Sequence, residues 1–163
     1  RDAMTQYERR MMKTDTIAAQ IAGPWRKADV DGFLTSAAVP MRLAANTTSG
    51  FPTVTPLWFL WQEEALWAAA KPDAAIIKLL RNDGRCAFDI SLETAPYRGV
   101  RGKGMATVLP DGQRVLEALV DRYVGKEKPG FRAWLLARSI DECAIRIDLL
   151  RLTSWDFRKR MSR

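Results

Sequence analysis

Histidine is absent from all 163 residues. That excludes Ser-His-Asp and Cys-His nucleophilic catalysis and removes the commonest axial ligand of haem. Cysteine is nearly absent too. Cys86 and Cys143 stand far apart in apolar-alternating segments, so an ordinary zinc site is excluded and no metal is expected. They read as buried free thiols, and a cytoplasmic location is the expectation. No stretch approaches the roughly 18 uninterrupted apolar residues of a membrane helix. No Lys/Arg run carries helix-turn-helix or zinc-finger spacing, so neither a membrane nor a nucleic-acid partner is expected. Acidic residues are the scarcer charge, 19 against 26 basic, which leaves +7. Such a balance suits a phosphorylated small molecule as well as a nucleic acid or an anionic membrane face, and charge alone does not choose. With these catalytic groups missing, an enzyme of this composition needs a cofactor to supply its reactivity.

Hydrophobic residues make up 47% of the chain, enough for one compact domain with a real core. From Met4 to about Thr35 the pattern is weakly helical, with Thr14 or Asp15 as caps, a break at Gly23-Pro24 and a short helix from Asp29. Residues 1–38 are therefore expected to form a helical extension covering a barrel end, and 39–163 the main domain. Arg1 to Ala3, ahead of Met4, fit a cloning remnant as well as native sequence. From Met41 the period changes to two, which marks a strand. Thr48-Ser49-Gly50-Phe51-Pro52 is a hairpin turn, followed by a strand from Thr53 to Trp61 and another from Ala65 to Ala70. Asp73 is expected to cap a helix with Ile76, Ile77 and Leu80 on its apolar stripe. Strands over Arg85–Glu93 and up to Leu109, a helix over Gln113–Val124, a helix around Trp134 and a last strand over Cys143–Phe157 complete the order. A phase change at Leu149-Leu150 predicts a bulge. About six strands joined by short connections indicate a mainly β antiparallel barrel with helices over its openings.

Three features carry chemical information. Arg98, Arg101 and Lys103 lie beside Gly99, Gly102 and Gly104, an arrangement that suits either a phosphate or an exposed basic strand face with curvature-permitting glycines. Pro56 interrupts the ladder of its strand, which leaves either an opening for a ligand edge or an ordinary edge strand. Lys71, Lys78 and Arg81 surround the beginning and outer face of a short helix, an arrangement that suits either an anion at its N-terminal N–H groups or an ordinary solvated helix face. Trp58 and Trp155 suit either stacking on a ring or ordinary packing in the core or an interface.

The order of these motifs, with Gly50-Phe51-Pro52, Thr55-Pro56-Leu57-Trp58, Arg81-Asn82-Asp83-Gly84-Arg85, Pro96-Tyr97-Arg98-Gly99-Val100-Arg101-Gly102 and Thr153-Ser154-Trp155-Asp156-Phe157, resembles the pyridoxamine 5′-phosphate oxidase-like family. The resemblance covers roughly residues 39 to 157. It implies a six-stranded split β-barrel and a homodimer holding FMN, or a deazaflavin coenzyme, between subunits. The implied activity is hydride transfer through the flavin N5 to or from a small molecule. The deazaflavin-dependent reductase and a non-catalytic flavin-binding sensor are the alternatives. Position by position it implies Arg42, Asn46, Thr55, Pro56, Leu57, Lys71, Lys78, Arg101 and Trp155 as cofactor neighbours and singles out no catalytic side chain. The chain departs from the family where a phosphate-binding lysine falls on the short helix: that place is Ile76. Lys78 lies two residues on, about 200° around the helix.

Overall fold

The computed structural model describes residues 19–162. The strands are β1 (Gln20–Ala22), β2 (Met41–Asn46), β3 (Pro52–Leu57), β4 (Leu60–Gln62), β5 (Ala65–Ala70), β6 (Arg85–Ser91), β7 (Arg98–Leu109) and β8 (Cys143–Asp156). The helices are α1 (Lys27–Ser36), α2 (Ala75–Asn82), α3 (Gly112–Tyr123), α4 (Pro129–Leu136) and α5 (Arg158–Met161). One curled sheet runs β3-β2-β6-β7-β8-β5-β4, and β1 adds in parallel beside the second half of β8. Every other pairing is antiparallel. This is the expected split barrel with peripheral helices.

Alternation decides which face closes on the core. Met41, Leu43 and Ala45 of β2, Cys86, Phe88 and Ile90 of β6, and Ile145, Ile147, Leu149 and Leu152 of β8 are buried. α1 adds Val30, Phe33 and Leu34, and α2 adds Ile76, Ile77 and Leu80. Cys86 lies free in this interior, and its burial pushes the thiol up to about 11. The phase change in β8 is a bulge. Lys103 pairs with Arg151 and Gly104 with Leu149, which leaves Leu150 without a partner on β7. Gly102 and Gly104 are needed for packing. A Cβ on Gly102 would stand 2.2 Å from the Arg151 carbonyl oxygen and 2.7 Å from the Phe88 ring. One on Gly104 would stand 2.6 Å from the Asp148 carbonyl oxygen.

Four local expectations are corrected. Eight strands form instead of about six, because β1 joins the sheet within a segment that reads as helical, and because the expected strand Thr53–Trp61 breaks in two. The break is a corner held by Tyr123. Its ring stacks on Trp58 at 5.0 Å, its hydroxyl accepts the Phe59 N–H at 3.3 Å, and it donates to the Val39 carbonyl at 2.9 Å. Phe59 is completely buried there. The chain thereby crosses from β3, at one edge of the sheet, to β4 at the other. Asp73 does not cap α2. Ala74 holds the N-cap position, and the preceding turn is closed by the Ala74 N–H bonding to the Lys71 carbonyl at 3.0 Å. Finally, Arg98 has the opposite strand parity to Arg101 and Lys103, so the three cations do not form one cradle. The helix and caps expected between Met4 and Thr14 or Asp15 lie outside the described residues. Among the described residues no helix is long and apolar enough to cross a membrane.

Candidate functional site

The corner at Trp58 also shapes an apolar trough at the predicted site. Its floor is the end of β3 (Pro56, Leu57) with Trp58 after it, and the end of β5 (Ala69, Ala70) with Lys71 after it. Leu116 and Leu119 of α3 form one wall, and Trp134 and Leu135 of α4 form the other. Its volume is about 420 Å³. α4 is a helix with no buried residue, and Phe131 and Trp134 on it are about half exposed. The trough thus has an aromatic, solvent-facing wall.

Its polar end is built from three segments. The Lys71 ammonium reaches the Asp141 carboxylate at 2.6 Å and Glu142 at 3.4 Å, and donates to the Arg138 backbone carbonyl. The hydrogen bond from Lys71 holds Asp141 below the usual carboxylate range, and the same bond raises Lys71. Glu142 behaves differently. Its side chain is only 9% exposed, and burial raises its pKa in spite of the nearby ammonium. The Arg138 guanidinium lies 4.1 Å over the Trp134 ring.

A second, shallower groove of about 550 Å³ lies on the outer face of the sheet. Cross-strand register aligns Pro56, Arg42, Asp89, Arg101 and Thr153 in one row, and Val54, Ala44, Ala87, Lys103 and Arg151 in the next. Arg42 is already engaged, with Glu93 at 2.8 Å and Asp89 at 3.5 Å. Arg101, Lys103 and Arg151 are exposed and have no carboxylate partner among the described residues. Arg42 is the register partner of Pro56, so the two concavities meet at the β3 edge.

The sequence-predicted residues therefore divide. Pro56, Leu57 and Lys71 line the trough, whereas Arg42 and Arg101 line the outer groove. Thr55 is half-buried opposite Leu43, with the opposite parity to Val54 and Pro56. Asn46 donates its amide to Asp83 at 3.0 Å, and Asp83 is also bound by Arg85, so Asn46 braces the turn between α2 and β6. Lys78 is exposed on α2, while Ile76 is buried in the core. Trp155 packs at 5.1 Å against Phe157, away from both concavities. Sequence reasoning missed Trp134, Arg138 and Glu142. The first carried a weak signal as the largest apolar residue of a helix without a clean stripe. The other two carried none, because Glu142 meets Lys71 only through folding.

No protein-family model and no curated protein matches the sequence. Solved structures do match the fold. The conserved hypothetical protein Rv2991 from Mycobacterium tuberculosis is 24% identical over 85% of this chain and 89% of that one, with a TM-score of 0.67. An F420 reductase is 22% identical over 73% and 92%, with a TM-score of 0.60. A putative pyridoxamine 5′-phosphate oxidase from Listeria innocua is 14% identical over 78% and 93%, with a TM-score of 0.56. The chain has the split-barrel fold of these pyridoxamine 5′-phosphate oxidase-like and reductase structures.

Proposed function

We propose that the chain is an oxidoreductase that carries a phosphorylated flavin-type coenzyme, FMN in the first reading, at the trough beside β3. One observation carries this reading: an apolar trough with an aromatic wall closes on a charged end where Lys71 and Arg138 lie beside Glu142 and Asp141. Its volume falls within the roughly 300–1,000 Å³ of small-molecule sites, so a planar tricyclic ring fits the residues present. Support also comes from the shared fold, since the similar structures bear the names of a reductase and an oxidase.

A bound flavin or deazaflavin supplies hydride transfer. The chain supplies position and electrostatics. Pro56, Leu57 and Trp58 exclude water from one side of the ring site, and Leu116 and Leu119 from another. As an edge strand, β3 turns half its backbone groups away from β2, and these are free to hydrogen-bond a heterocycle. Lys71 and Arg138 stand at the polar end of the site, where they stabilise negative charge on the bound group. The proposal includes a homodimer, with two copies of the chain enclosing each site.

The deazaflavin coenzyme is the second reading, favoured by two features. Ile76 is buried where the resemblance places a phosphate-binding lysine, and Arg101, Lys103 and Arg151, in two neighbouring rows of the outer groove, form an exposed basic patch suited to a longer anionic tail. Absorbance titration with each coenzyme, followed by competition between them, tests the proposal. Micromolar binding of at least one is expected, with sedimentation at twice the chain mass. Failure of both to bind contradicts the reading.

A further inference from the structure

Glu142 is a carboxyl group in an unusual place. Its side chain lines the apolar trough yet is only 9% exposed. Its backbone is fixed, because its carbonyl accepts the Gly112 N–H at 2.8 Å where α3 begins. Lys71 is shared by two carboxylates, and the closer is the exposed Asp141 at 2.6 Å, against 3.4 Å for Glu142. Arg138 is turned onto the Trp134 ring. The other elements of the trough bring no charge: α3 presents Leu116 and Leu119, and β3 presents Pro56, Leu57 and Trp58. With one ammonium between two acids in an apolar surround, burial raises the pKa of Glu142 above that of an ordinary glutamate.

We infer that Glu142 is the proton-transfer residue of this trough, giving a proton to the molecule bound there as that molecule receives a hydride. The inference rests on the proposed oxidoreductase reading and deepens it. A dihydronicotinamide donor loses a hydride, which carries two electrons and one proton, and becomes the oxidised nicotinamide. The acceptor in the trough gains that hydride and the resulting negative charge. The O–H bond of Glu142 then breaks, its electron pair stays on the carboxylate, and the proton bonds to a basic nitrogen or oxygen of the acceptor. Lys71 stabilises the carboxylate until solvent returns a proton.

The test compares wild type, E142Q and E142D. Coenzyme affinity is measured first, with FMN and with the deazaflavin coenzyme, and then the rate of reduction by NADH or NADPH across pH in a stopped-flow instrument. E142Q is expected to bind coenzyme within about threefold of wild type and to be reduced about 100-fold more slowly, the lower range of a lost proton donor. The wild-type rate should fall as pH rises through the Glu142 titration, E142Q should lose that limb, and E142D should regain part of the rate. A ¹³C-carboxyl titration of the coenzyme-free protein, assigned by E142Q, should place Glu142 above an ordinary glutamate. Unchanged rate and pH profile in E142Q with coenzyme bound, or an ordinary carboxyl titration, overturns the inference and leaves the coenzyme reading standing. Failure of wild type to bind either coenzyme overturns both.

Discussion

Ala69→Trp is expected to weaken coenzyme binding at least about 100-fold, which corresponds to about 2.8 kcal/mol at 1.4 kcal/mol per tenfold. Ala69 and Lys71 have the same parity at the end of β5, and Ala69 pairs with Ala144 of β8. Ala68, with the opposite parity, is fully buried. An indole at position 69 therefore projects into the trough, between α3 and the end of β3, and leaves the core alone. The ladder hydrogen bonds belong to the backbone and survive the change. Titration of the variant by absorbance, with circular dichroism to verify the fold, is the measurement. Wild-type affinity in a folded Ala69→Trp protein would place the ring elsewhere, the outer groove around Arg101 and Lys103 being the alternative site.

The second large effect is on stability. α1 ends without a basic residue in its last turn, so its C-terminal carbonyls depend on a donor from outside the helix. Arg122 of α3 is that donor. It bonds the carbonyls of Leu34 at 2.9 Å, Thr35 at 2.6 Å and Ala37 at 2.7 Å. The same guanidinium lies 5.2 Å over the ring of Phe59, at the corner between β3 and β4. A cation there also complements the negative end of the α1 dipole. Arg122→Met retains much of the stem packing and removes all three bonds. At about 1.5–3 kcal/mol for a hydrogen bond to a charged group, reduced because water reaches part of the site, the expected loss is about 3 kcal/mol. Urea unfolding measures it, and a loss below about 0.5 kcal/mol would show that water replaces the guanidinium without cost. Because Phe59 adjoins Trp58, the variant should also loosen the trough and weaken coenzyme binding, by less than Ala69→Trp does.

The strands were legible wherever one face alone is buried. β2 and β6 alternate cleanly because the outer face of the sheet meets solvent, and the bulge in β8 showed as a phase change because the core admits only one register. The stripe of α2 was equally clear. What escaped was set by single long-range contacts. Nothing near Trp58-Phe59 in sequence marks a corner, since Tyr123 holds it from α3. β1 is three residues long and gains its partner only when β8 is in place. In the site, Pro56 stood out because proline breaks a ladder, and Lys71 because it precedes a helix. Glu142 resembled any surface acid until Lys71 was folded against it. Arg98 was grouped with Arg101 and Lys103 by proximity in sequence, although strand parity alone separates them.

The placement of the ring against Trp58 and Trp134 is tested most directly by the indole N–H signals in a ¹⁵N–¹H spectrum. Three tryptophans serve as internal references, because Trp25 donates to Asp156 at 3.0 Å, Trp61 to Asp31 at 3.1 Å and Trp67 to the Gln62 carbonyl at 3.2 Å. None of the three lines the trough. Titration with FMN or the deazaflavin coenzyme should shift or broaden the Trp58 and Trp134 signals and leave those three in place. Coenzyme bound by absorbance with Trp58 and Trp134 unmoved would contradict the account.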